Sequence, residues 1–146
     1  MLRFLPSLSA RWRSTFDSSK PAHLQRGATG EKVAARFLRK QGYKILYRNF
    51  RGHSGGEIDI VCRDGDTLVF VEVKTRGSED YGRPFEAIAP DQKRRISRGA
   101  LAWLRMLEHP DILFRFDVVE VIMTPTAEPR TELIQNAFTL SEPYVY

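Results

Sequence analysis

The sequence predicts a mixed α/β fold: a β-sheet flanked by helices, with elements in the order αβββαβ. Three observations lead there. Apolar residues recur at helical spacing in two separate stretches, and four other stretches are apolar, aromatic or β-branched in the manner of strands. Between two of those strands, Asp64-Gly65-Asp66 is a strong hairpin signal.

The first helix is expected from Gly30 to Gln41. There Val33, Ala34, Phe37 and Leu38 share one side of the wheel, with Glu31, Lys32, Arg36, Arg39 and Lys40 elsewhere. Thr29 is the expected N-cap and Gly42 the expected stop. Tyr43 to Phe50 is aromatic and β-branched enough for a first strand. Gly52 to Gly56 (GHSGG) reads as a flexible loop. Glu57 to Arg63 alternates and then turns apolar, as a second strand would. Thr67 to Thr75 (TLVFVEVKT) follows, apolar almost throughout, so it is expected centrally in the sheet. Gly77 to Pro90, with two glycines and two prolines, reads as an irregular connection. From Asp91 to Glu108, Ile96, Ala100, Trp103, Leu104 and Leu107 mark a second amphipathic helix, closed by His109-Pro110. Phe114 to Met123 is a fourth strand. The proline-punctuated remainder has room for one short edge strand near Leu133. Hairpins come first and a helix then crosses over, a connection that is right-handed if the strands it joins are parallel.

A chain of 146 residues makes one domain that buries roughly two thirds of its unfolded surface. Its net charge of +5 favours a polyanionic partner, nucleic acid or an acidic membrane surface, and nucleic acid is the commoner. The single cysteine, Cys62, excludes an internal disulfide framework and suits a reducing compartment. No apolar run approaches the ~18 residues that span a bilayer. The expected location is cytoplasmic, with no membrane partner. Residues 1–25 are set apart: Met1 to His23 carries Arg3, Arg11, Arg13 and Lys20 against one acid, Asp17, with five serines. They read as a disordered basic extension, or alternatively as a transit peptide. Residues 26–140 are the expected domain and 141–146 a tail.

Strand parity carries the chemistry. Glu57 and Asp59 share one face of the second strand, with Ile58 and Ile60 on the other; Glu72 and Lys74 share one face of the third, opposite Val69, Val71 and Val73. If the loop is Gly65-Asp66, Asp59 lies opposite Glu72 and Glu57 opposite Lys74. If it is Asp64-Gly65, Asp59 lies diagonal to Glu72. Either register puts all four groups on one side of the sheet. Opposed side chains have Cβ atoms about 4.5–5.5 Å apart. Two carboxylates that close repel by roughly 3 kcal/mol at an effective dielectric near 20. A divalent cation turns that repulsion into coordination, and magnesium suits an Asp/Glu pair that leaves it several waters. Lys74 would then stand beside the attacking water or the scissile phosphate. Alone, Glu-x-Lys is an ordinary solvated pair; here it interrupts an otherwise buried strand, where unpaired charge is costly.

Gly56-Glu57-Ile58-Asp59-Ile60 followed by Phe70-Val71-Glu72-Val73-Lys74 resembles the PD-(D/E)xK nuclease signature of the restriction-endonuclease-like fold. With Gly30-Glu31, Gly42-Tyr43, Arg48-Asn49-Phe50, Lys93, Arg115-Phe116-Asp117-Val118 and Asn136-Ala137-Phe138, the pattern from about residue 27 to 138 more narrowly resembles the bacterial YraN family. That family is related to archaeal Holliday-junction resolvases. The resemblance implies a Mg²⁺- or Mn²⁺-dependent endonuclease acting on DNA, branched DNA included, and working as a homodimer. It implies that Asp59 and Glu72 hold the metal with the Val73 carbonyl, that Lys74 assists the water, and that Glu31 completes the site. Read from the residues alone, Glu31 is equally a helix-start acid favoured by the macrodipole. Glu57 faces the metal's outer shell or pairs with Lys74.

Candidate nucleic-acid contacts are Arg48, Arg51, Arg76 and Arg83 around the hairpin, and Lys93, Arg94, Arg95 and Arg98 on the second helix. The helical group reads equally as a solvated face. Gln92 or Lys93 is expected to touch the site. Tyr47, Phe50 and Tyr81 are candidate base-stacking residues, although aromatics at such positions are more often core. His23, His53 and His109 lack metal-ligand spacing. Cys62, sharing parity with Ile58 and Ile60, reads as a buried hydrophobe, and Asp117 as a partner for a neighbouring arginine. The chief rival to an enzyme is a non-catalytic nucleic-acid-binding module, and a third class is a protein-interaction adaptor.

Overall fold

A computed structural model of the chain describes residues 22–77, 88–108 and 111–144. The expected N-terminal extension up to residue 21, most of the 77–90 connection with Tyr81 and Arg83, and His109-Pro110 lie outside the described residues. The elements are α1 (Ala22–Lys40), β1 (Lys44–Arg51), β2 (Glu57–Asp64), β3 (Thr67–Arg76), α2 (Pro90–Arg105), β4 (Phe114–Thr124) and β5 (Ala127–Phe138). The five strands form one sheet in the order β1-β2-β3-β4-β5. Its first three strands are antiparallel, α2 carries the chain to a parallel β4, and β5 returns antiparallel. The architecture is mixed α/β in the order αβββαββ, in keeping with a restriction-endonuclease-like arrangement, and β3 is central as its apolar run requires.

Each sheet face carries one helix and one core. On one side Ile96, Ala100, Trp103 and Leu104 of α2 pack on Ile58, Val61, Phe70, Phe116 and Val118. On the other, Ala34, Ala35 and Leu38 of α1 pack on Ile60, Cys62, Val69, Val71 and Val119. Tyr47 and Phe50 join the α2 core, their rings 5.9 and 5.1 Å from Trp103, which makes them packing residues.

Three expectations need correction. Helix α1 starts at Ala22, so Thr29 lies inside it and is not its N-cap. Between Ala22 and Thr29 only Gly27 disfavours a helix, by about 1 kcal/mol, so the helix runs through the expected cap. The short edge strand near Leu133 is a 12-residue strand. Its Pro129 misleads because an edge strand leaves one side unpaired and tolerates a missing N–H. Finally, Ile58 and Ile60 do not share a face: Ile58 enters the α2 core and Ile60 the α1 core. Between the Arg48–Ile60 and Phe50–Ile58 pairs lies the level of Asn49 and Asp59, and Asn49 has φ +54°. That left-handed residue turns β1 over, and its partner strand follows. Cys62 is buried as expected, alongside Ile60 only.

Candidate metal centre

The hairpin turn is Gly65-Asp66, because Asp64 pairs with Thr67. This register carries Asp59 to the level of Glu72. The ladder, however, stops at Ile60–Val71, and beyond it β2 parts from β3. In the opening the Val73 N–H, having lost a cross-strand carbonyl, donates to Asp59 Oδ2 at 2.8 Å. The rotation of β2 at this level thus aims the Asp59 carboxylate across at β3 instead of straight up from the sheet.

Glu72 continues the regular parity of β3 on the α2 face, and it is only 7% exposed. It hydrogen-bonds Asp59, and burial, then the charge of Asp59, push its pKa up to about 8. Burial also raises Asp59, against the pull of the Val73 N–H. Lys74 lies 3.9 Å from Glu72 Oε1 and donates to Gln92 Oε1 at 2.8 Å, which fixes the amine between β3 and α2. Asp59, Glu72 and Lys74 are therefore together, as parity predicts.

Two glycine contacts set the walls. At Gly30 of α1 a Cβ would stand 2.0 Å from Thr75 Oγ1, so the helix rests directly on β3. This close approach carries the next residue, Glu31, to the acidic pair. Burial and the charge of Asp59 raise Glu31 to about 7, while Asn49 hydrogen-bonds it and Arg48 neighbours it. On the other side Gly56, at φ +85°, and Gly99 of α2 meet backbone to backbone; a Cβ on Gly56 would lie 2.3 Å from Gly99 N. The crossing brings Gln92 and Arg95, three apart on one helical face, over the site.

Arg95 is the neighbour of the acidic pair that strand parity could not place. Its Nε lies 3.2 Å from Glu57 Oε1, and its charge reaches Glu72. Glu57 pairs with Arg95 and, at 3.9 Å, with Arg51, not with Lys74 as one register suggests. The spacing of Gln92 and Arg95 was the available signal. Arg76 pairs with Glu120 at 3.4 Å on β4, and Arg94 pairs with Asp91 of its own helix. Lys93 makes a helical backbone bond to Ala89. These three are not drawn into the acidic pair. Asp117 has the expected arginine partner, Arg115, at 2.9 Å. With Tyr43 and the Asn136 N–H it forms a buried clamp on β4, where Asp117 pairs with Val71.

Among the described residues no three His, Cys, Asp or Glu converge as a ready cation cage. The donor set is a pair, Asp59 and Glu72, with Glu31 as an electrostatic neighbour. That set fits a hard cation that keeps most of its waters, as Mg²⁺ does. Two buried carboxylates in contact repel unless neutralised, and a cation can do so in place of a proton. The residues present fit a divalent metal.

Over residues 30–121 the chain matches the profile of an uncharacterised protein family, UPF0102. It is 50% identical over 115 residues to a UPF0102 protein of Geobacter sulfurreducens, covering 79% of this chain and 89% of that one. To one of Pelobacter propionicus it is 44% identical over 133 residues, 90% and 94% of the two chains. To one of Symbiobacterium thermophilum it is 49% identical over 112 residues, 77% and 94%. The matched span contains Glu31, Asp59, Glu72, Lys74 and Arg95.

Proposed function

This chain belongs to the UPF0102 family, the YraN-like group that its motifs resemble, and from that premise we propose that it is a divalent-metal-dependent nuclease hydrolysing phosphodiester bonds in DNA. One observation carries the reading: Asp59 and Glu72 meet in a buried opening of the sheet, with an ammonium fixed beside them. A purely structural strand gains nothing from burying two acids face to face.

Asp59, Glu72 and the Val73 carbonyl would hold Mg²⁺ or Mn²⁺. Such an ion supplies Lewis acidity and lowers the pKa of a nearby water. The chain's own groups do the rest. The Val73 N–H orients the Asp59 carboxylate. The Lys74 ammonium donates one N–H to Gln92 Oε1 and turns a second toward Glu72, which leaves the third for a phosphate oxygen or the attacking water. Arg95, held by Glu57, adds positive charge at the entrance, where a phosphate would approach. Glu31 lies near enough to Asp59 to respond to a cation without being a ligand. The family's relation to resolvases makes branched DNA the substrate to try first.

The test incubates purified protein with linear and branched DNA, with and without Mg²⁺ or Mn²⁺. Metal-dependent cleavage is expected, and Asp59→Asn or Lys74→Ala should each reduce it at least 100-fold, the scale seen on removing one preorganised group. Equal cleavage by all three proteins would refute the site. Intact DNA binding with no cleavage by any of them would return the chain to the non-catalytic class.

A further inference from the structure

Next to the site, reached through Glu57 and Arg95, the surface between α2 and the β1–β2 loop is hollowed. A cleft of about 290 Å³ there is bounded by Glu57, Arg95, Arg98 and Arg51. It shares its Arg51, Gly52, Gly55 and Arg98 walls with a groove of about 500 Å³. The larger groove is rimmed by Arg51, Arg98 and Arg105 with His53 among them, and among the described residues no acid lines it. Its floor is apolar, with Phe50, Leu101 and Ala102 beside Met106 and Tyr144.

The arrangement follows from the helix. Arg95, Arg98, Ala102 and Arg105 fall at i, i+3, i+7 and i+10, one stripe along α2. Glycines keep the facing loop close: a Cβ on Gly52 would lie 2.8 Å from Ala102 Cβ, and one on Gly55 would lie 3.4 Å from Arg98 Nη1. Glu57, the one acid among the described residues of the adjoining cleft, is already paired with Arg95 and Arg51. The arginine stripe therefore runs outward along α2 from Arg95, whose charge reaches the acidic pair.

We propose that this groove receives an unpaired nucleic-acid strand leading away from the metal centre, phosphates on the arginine stripe and a base on the apolar floor. A duplex keeps its bases stacked and offers the groove phosphates alone, leaving the floor uncovered. An unpaired strand offers both the charge and the flat apolar face that the groove matches. The direction of the strand rests on the nuclease reading, and it narrows the substrate to DNA with a single-stranded segment next to the cut. Binding to the groove does not need that reading.

The experiment is therefore done without metal. Full-length protein in EDTA is titrated into a fluorescent single-stranded DNA and a blunt duplex of the same sequence, at two salt concentrations. The single strand should bind about tenfold or more tightly than the duplex, the scale of one stacked base. Met106→Glu places an acid on an exposed part of the floor, so its folding is checked simply by its melting temperature; it should cost about tenfold in single-strand affinity. Arg105→Ala should lower the salt slope by about 0.7, one phosphate's worth. Equal or tighter duplex binding, or indifference to both substitutions, would overturn the proposal, as would an absence of nucleic-acid binding. A chain that binds single strands as described and never cuts would refute the nuclease reading and leave the groove assignment standing.

Discussion

At the scale of single residues, the acids define the behaviour. Glu72 and Glu31 have folded-state pKa values near 8 and 7 against an ordinary 4.5, each raised first by burial and next by Asp59. Between those limits the folded protein binds more protons than the unfolded chain, so its stability falls as pH rises from about 4.5 to about 8. Metal-free protein is thus expected to melt higher at pH 5 than at pH 8. Glu72→Gln should remove most of that slope and raise the melting temperature at pH 8. A flat or inverted profile in metal-free wild type would contradict the buried-proton description. Asp117 illustrates the opposite solution to burial. It is fully enclosed but takes Arg115 Nε at 2.9 Å and the Asn136 N–H at 2.9 Å, so its charge is satisfied by fixed donors.

Among elements, the seat of α1 on β3 decides where Glu31 stands. Gly30→Ala drives a Cβ against Thr75 Oγ1 and should destabilise by about 2 kcal/mol, the usual cost of overpacking. Thr75→Ala removes the obstructing hydroxyl, so the double variant should recover much of that loss in a thermodynamic cycle. Additive losses would show that the helix is not seated there. Elements also explain what the sequence could tell. Parity placed Glu72 and Lys74 because β3 is regular and apolar on its other face, and Asp64-Gly65-Asp66 confined the turn to two registers. Parity failed at Ile58 and Ile60 because a left-handed residue on the neighbouring strand, Asn49, turns both strands, and nothing within β2 signals it. The sequence put Arg95 in the basic cluster but not beside the acids. That placement depends on which face of α2 crosses β2, set by the Gly56–Gly99 approach between residues 43 positions apart. The length of β5 was obscured by a proline that matters less at an edge than inside a sheet.

For the whole molecule, a cation should act as a stapling ligand between β2 and β3. Binding that requires the folded pair stabilises by about 2.7 kcal/mol when the free metal is a hundredfold above its dissociation constant. Millimolar Mn²⁺ at pH 8 should therefore raise the melting temperature of wild type and leave Asp59→Asn unmoved. An equal rise in both would place the metal elsewhere. The same scale gives the Gly56–Gly99 contact its widest meaning. Where two main chains touch with no side chain between them, their separation is fixed by the dimensions of the peptide group itself. The gap between the acids and the arm of α2 above them is then gauged like the jaws of a caliper. Substitutions that reshape either core can accumulate around it while the opening offered to a phosphate keeps its width.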